Sequence, residues 1–366
     1  VIRRLADPAA VVRRVSLLTH LVRGRQDGPE YRQAFTQLAH QLYRDLVEPV
    51  QDLVRGAPLV ISTHGSLTHL PFQLLLTEPP SRPVESPDFF ATLGYLIHRH
   101  ALSYTPSLAV WSALRQIPPG ARKAVGQALE LGSFLGLGDP RRKQQVSRPE
   151  TTAPWMDLRG LRAIRHLLRG GALPPLPHGR KEVMEVARVF TRGRARTYLG
   201  RSATERALKN ALGEHPFRFV HIAAHGLIDE EQPELSSIVL APGGGEDGLL
   251  ELTEIYDLPL RGAELTVLSA CQTALGQQVS GEGIVGLVRG FLAAGSQNVM
   301  ASLWSVSDHS TRLLMARFYQ RLKQGAPLVS ALHQAQRAGA RGELGAAYAH
   351  PFYWAPFGLH GRGDGS

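Results

Sequence analysis

One cysteine, Cys271, stands in a chain of 366 residues. That scarcity excludes an intramolecular disulfide and a Cys-based structural zinc site, and it favours a reducing, cytoplasmic setting with a free thiol. His178, His309, His333 and His350 show no metal-ligand spacing, so no metal or other cofactor is expected. No apolar run reaches the roughly 18 residues of a membrane-spanning helix, and no signal-peptide pattern opens the chain. Lysine is scarce too: five of the 41 Lys and Arg residues are Lys. The net charge of +10 therefore rests on arginines scattered from Arg3 to Arg362. The densest groups, Arg141-Arg142-Lys143 and Arg192 to Arg196, have little aromatic interleaving. Nucleic-acid-binding domains cluster their basic residues on one face, so this scatter argues against a nucleic-acid partner.

What is present describes a globular protein: 43% hydrophobic and 20% charged residues, with length for one large domain or two ordinary ones. The chain opens on Val1, not Met, and reads as cut from something longer. Residues 1–40 read as helical, with Val11, Val12, Val15, Leu18 and Leu21 at helical spacing. A second helix is expected over about 31–55. Short strands follow at 58–62 and 101–104, then a helix to about Arg115 and a strand within 131–140. The proline-rich stretch 138–178 reads as a linker or insertion, with a short helix near 158–168.

From 179 onward helix and strand alternate, the signature of a mostly parallel sheet covered by helices. Expected elements are a helix at 179–191, a strand at 195–199, and a helix opened by a capping box at Ser202 to Glu205. A loop at 229–248 and a short helix at 252–256 come later. Beyond them lie a helical face built on Ile284, Leu287, Val288 and Phe291, a strand at 298–304, helices at 308–323 and 327–340, and a closing strand at 352–359.

Two of these strands end on reactive side chains. Phe217 to Gly226 reads as a strand stopping on His225-Gly226, and Leu265 to Cys271 as one stopping on the thiol. Only a parallel sheet brings two such ends side by side, and sites in open α/β sheets form at the carboxyl ends of strands. A lone cysteine is ordinarily a small buried hydrophobe; the paired His-Gly changes that reading. Cys271 then supplies a nucleophile, and His225 a base that favours thiolate and later protonates the leaving amine. The N–H groups of Gly226 and Cys271 are candidates for an oxyanion hole. Ala270-Cys271-Gln272, with a histidine upstream by about 50 residues, fits the core of a caspase signature. Ser269 and Thr273 replace its Gln and Gly.

The stretches His221-Ile-Ala-Ala-His225-Gly226, Leu268-Ser-Ala-Cys271-Gln-Thr-Ala-Leu-Gly276, Gly281 to Gly295, Ser302-Leu-Trp-Ser-Val-Ser-Asp308 and His350 to Phe357 together resemble the CHAT domain family. Front-half stretches, including Leu59 to Phe72, Tyr104-Thr-Pro-Ser107 and Leu173 to Arg180, extend the likeness over about 41–361. The resemblance implies a caspase-like three-layer α/β/α sandwich. It divides the chain into a helical segment at 1–40, the possible end of a TPR-like region, a non-catalytic half at 41–172 and a catalytic half at 173–361. It implies a cysteine endopeptidase, related to caspases and separases, that cuts a protein partner through His225 and Cys271 in regulated bacterial signalling, defence or cell death. A catalytically idle scaffold of the same family is the alternative.

The tract ending at Asp308 resembles a separase stretch whose aspartate lies in the pocket for a basic P1 side chain. Asp308 is thus a candidate pocket floor, or else an N-cap for the helix that follows. Many family members carry two acidic residues where this tract has one. Glu282 reads as a helix cap more than a site residue. His64-Gly65 follows a strand as His225-Gly226 does, but with no cysteine-bearing partner. His221 reads as a satisfied core or supporting histidine, not a catalytic one.

Overall fold

The computed structural model describes residues 7–116, 123–125, 128–141, 173, 176–228, 232–269, 271–272 and 282–363. The expected helix at 158–168 lies outside them, as does most of the proline-rich stretch. Helix α1 (Pro8–Gly24) is capped by Asp7, whose Oδ1 accepts the Ala10 N–H at 2.9 Å. It buries Val11, Val15, Leu18 and Val22, one helical stripe, while Val12 falls off the stripe and stays exposed. Helix α2 (Pro29–Leu46) stops short of the expected residue 55, because Pro49 has no N–H to continue the ladder and the chain tightens into a 3₁₀ turn over Glu48–Leu53.

The following elements are β1 (Leu59–Ile61), β2 (Leu102–Tyr104), α3 (Leu108–Arg115), β3 (Lys123–Val125), β4 (Ala128–Glu130), β5 (Phe134–Gly138), α4 (Pro177–Ala187), β6 (Ala195–Leu199) and α5 (Glu205–Glu214). Then come β7 (Phe219–Ala223), β8 (His225–Leu227), β9 (Ser237–Val239), β10 (Leu249–Glu251), α6 (Leu252–Ile255), β11 (Leu265–Leu268) and β12 (Cys271–Gln272). The last are α7 (Glu282–Ala293), β13 (Asn298–Ser302), α8 (Asp308–Lys323), α9 (Leu328–Ala340) and β14 (Phe357–Gly361). Among these helices, none is long and apolar enough to cross a membrane.

The expected capping box is not used. Thr204 caps α5, its hydroxyl accepting the Ala207 N–H at 3.0 Å, while Ser202 closes a turn on Leu199. Glu205 does not reach back because its buried carboxylate is held by Lys209 and the Gly248 N–H.

The chain divides into two compact units. The first comprises residues 1–119, 124–129 and 309–366, and in it β1, β2 and β14 run parallel. Two buried glutamines secure its last strand. Gln73 and Gln336 each donate through Nε2 to the Phe357 carbonyl, at 3.1 and 2.8 Å, and Tyr104 donates to Gln73. Gln336 also takes the Trp354 carbonyl, so residues 351–356 turn and the strand begins at Phe357, later than expected.

The second unit, residues 120–123 and 130–308, holds five parallel strands in the order β13-β11-β7-β5-β6. Every residue of β5, β7, β11 and β13 is buried, so both faces are covered, which is why these strands read as mainly apolar runs, with His221, Thr266, Asn298 and Ser302 as polar exceptions. Of a smaller sheet, β10-β9-β8-β12, strand β9 lies in the stretch 229–248 expected as a loop, and β10 follows directly after it. This sheet packs Leu227, Val239 and Leu249 with Leu173 and Leu235.

Candidate active site

The strand ends differ from the sequence reading in one respect. Neither His225 nor Cys271 belongs to the strand that leads to it. β7 ends at Ala223, the chain bends at Ala224, and His225 opens β8 in the smaller sheet. β11 likewise ends at Leu268, and Cys271 opens β12. No Gly or Pro stands between Ile222 and His225 or between Leu268 and Cys271 to mark this change of sheet.

The two chains leave together. In the large sheet Leu268 pairs with Ile222, the Ser269 N–H still bonds to the Ile222 carbonyl at 3.0 Å, and in the small sheet Cys271 pairs with His225 in the same parallel register. Gln272 then pairs with Gly226. The pairing before and after the bend keeps one offset, so the histidine and cysteine backbones stand directly side by side. On its other side β8 pairs antiparallel with β9, His225 opposite Val239. His225 is buried, as is Gly226. Residues 229–231 and 273–281, which flank these strands, lie outside the described residues.

Asp308 is the first residue of α8, and its Oδ2 accepts the N–H of His178 at 2.6 Å, in the first turn of α4. Burial raises its carboxyl above the usual range; the His178 N–H opposes the shift and Glu182 adds to it. The aspartate thus touches a helix start remote in sequence, a partner neither sequence reading had given it.

His221 is fully buried, with Nε2 2.7 Å from Oε1 of Glu182. Glu182 was missed from sequence, although a signal exists: α4 buries Gly179, Glu182, Val183 and Val186, and the carboxylate sits squarely in that apolar stripe. His64 is exposed and precedes a 3₁₀ turn. His333 is held by the Ile97 carbonyl at 2.6 Å and His309 by the Tyr348 hydroxyl at 2.8 Å.

One carboxylate cluster stands among the described residues, Glu205, Glu246 and Glu254. Lys209 Nζ sits among them at 2.6, 3.5 and 2.8 Å respectively, so an ammonium already supplies the cation that such a cluster attracts.

A family model for the CHAT domain matches residues 36–362. Over 113 residues the chain is 36% identical to tetratricopeptide repeat protein 28 of Mus musculus, a match covering 31% of this chain and 4% of that protein. The chain thus spans a small fraction of the curated relatives it matches. It is similar to the Saccharomyces cerevisiae separase–securin complex, with TM-score 0.41 and 12% identity over 81% of this chain and 15% of that one. It is also similar to the complex of the pro- and mature domains of Porphyromonas gingivalis RgpB, with TM-score 0.44 and 10% identity over 97% of this chain and 75% of that one.

Proposed function

The chain belongs to the CHAT domain family, and from that premise we propose that it is a cysteine endopeptidase acting on a protein partner through Cys271 and His225. The observation that carries the reading is the register pair itself: the one cysteine of the chain stands beside a histidine at the end of a parallel sheet.

In this reading His225 takes the thiol proton and the Cys271 thiolate attacks the scissile carbonyl carbon. The oxyanion that forms is met by the N–H groups of Cys271 and Gly226. His225, now an imidazolium, protonates the leaving amine as the C–N bond breaks, which leaves a thioester on Cys271. Water then attacks the thioester carbon, His225 takes its proton, and the acid product leaves with the thiol restored. No step needs a metal or a redox partner.

For specificity, the reading gives a basic P1 residue to Asp308, whose Oδ2 is bonded to His178 N–H and whose carboxylate keeps further acceptor capacity. Residues 173–361 form the catalytic half and 41–172 its non-catalytic counterpart. The likeness to a tetratricopeptide repeat protein supports a protein partner and a helical repeat region upstream. Bacterial signalling, defence or cell death is the setting that the family resemblance favours. A peptide-library digest by the wild type and by Cys271→Ala tests the reading; cleavage by the first and not the second is expected.

A further inference from the structure

The proposed chemistry uses His225 and gives no task to the other buried histidine of the same segment. His221 and Glu182 are 0% and 1% exposed, with Nε2 of the ring 2.7 Å from the carboxylate Oε1. A carboxylate taken fully out of water costs several kcal/mol, roughly, and apolar side chains of similar volume often hold a core together as well or better. Packing of α4 on the sheet therefore does not by itself account for the pair.

Its location supplies a reason. Helix α4 lies unusually close to β5: a Cβ at Gly136 would fall 2.6 Å from Val183, and one at Gly138 would fall 2.9 Å from the Gly179 carbonyl. Along β7, from His221 to Ala223, the facing helix residues run backward from Glu182 to Gly179. The N-terminus of α4 therefore points to the end of β7, where the chain bends into His225. Asp308 holds that N-terminus through the His178 N–H. Helix α4 thus has two polar ties, one at each end of its first turn and a half, and one of them grips the strand four residues before His225. A shift of β7 under the helix strains the ladder that sets His225 opposite Cys271, its register partner on β12, and the tie to α4 adds to that ladder in resisting it.

We propose that Glu182 and His221 are a positioning pair for the peptidase site, fixing the axial placement of β7 and hence of His225. The proposal rests on the peptidase reading, and its test separates the two. The full chain is reacted with iodoacetamide across pH, and the adduct is counted by intact mass. Cys271 is the one thiol in the chain, so the adduct that Cys271→Ala lacks reports on it.

A thiolate formed beside His225 gives the wild type a midpoint at least about one pH unit below the ~8.5 of an ordinary thiol. A wild-type midpoint near ~8.5 that His225→Ala leaves unchanged would remove the dyad, and the positioning proposal with it. With the dyad intact, Glu182→Met/His221→Leu replaces both polar partners and is expected to melt at or above the wild-type temperature. Its alkylation midpoint is expected to rise by about one pH unit, while Glu182→Gln, which keeps an acceptor in place, stays within about 0.3 units of wild type. A folded double variant with the wild-type midpoint overturns the proposal. So does a Glu182→Gln midpoint shifted as far as that of the double variant, since charge and not placement would then be at issue. If the double variant does not fold, Glu182→Asp takes its place, keeping the charge and withdrawing it by one methylene. A raised midpoint in that variant supports the positioning role, and an unchanged one overturns it.

Discussion

Cys271 pairs with His225 in the same parallel register that relates Leu268 to Ile222, although a change of sheet intervenes in both chains. A nucleophile and a base contributed by separate strands need relative placement to within a fraction of an ångström. A ladder with the same register on both sides of the bend aligns the two backbones, and the Glu182–His221 tie, in its proposed positioning role, completes the placement.

Asp308 gives the first prediction. Asp308→Asn preserves an acceptor for the His178 N–H, so the fold should survive with a loss of about 1 kcal/mol or less. Cleavage after Arg or Lys should fall by several hundredfold, the kinetic equivalent of losing one partner of a desolvated pair worth roughly 3–5 kcal/mol. Kinetics on matched peptides with basic and apolar P1 residues check this. Unchanged cleavage after basic residues would reduce Asp308 to an acceptor for the His178 N–H.

Lys209 gives the second. Burial raises the Glu205 carboxyl to about 7, with Lys209 pulling it down and Glu254 pushing it up. A carboxyl raised in the folded state binds more protons there than in the unfolded chain, so its stabilising contribution is present at acid pH and is lost as pH rises through that value. Lys209→Met removes the cation and raises Glu205 further. The variant should therefore unfold more easily than wild type by about 2–3 kcal/mol near pH 8, and the gap should narrow toward pH 5. Urea unfolding at both pH values checks this; a gap that widens in acid would contradict it.

How much was legible varied with local chemistry. Strand β6 was read at its observed bounds because Gly193 and Gly200, both at positive φ, punctuate it on either side. Helix α8 was likewise read at its bounds. The register pair was anticipated as two strand ends, but the change of sheet was not, since no Gly, Pro or charged Asp, Glu, Lys or Arg marks the bend at Ala224. Strands β9 and β10, three residues each, sit among Gly and Glu residues and draw their order from antiparallel ladders, β9 with β8 and β10 with β9, which runs so short do not announce. Glu182 was lost because a single acid in a helical stripe looks like a solvated neighbour until its partner histidine is located.

His350 gives the third prediction. It stacks on Tyr31 at 5.5 Å, and burial lowers its pKa to about 4. The unfolded chain takes up this proton near pH 6.5 and the folded chain does not, so the stability contribution is whole above about 6.5 and falls as pH drops toward 4. The loss from this residue approaches at most ~3 kcal/mol. His350→Phe should be less stable at neutral pH, because the Phe352 N–H loses its acceptor, yet show a shallower fall between pH 6.5 and 4.5. A slope as steep as that of wild type would place the acid sensitivity elsewhere.

The central claim is that Cys271 and His225 act as one catalytic unit. It is tested most directly by a mass-spectrometric peptide-library digest run with the wild type, Cys271→Ala and His225→Ala, each first shown to be folded by its thermal transition. The account predicts thiol-dependent cleavage by the wild type and its loss in both variants, to below about one per cent. Cleavage by Cys271→Ala at about a tenth of the wild-type rate or more would contradict it.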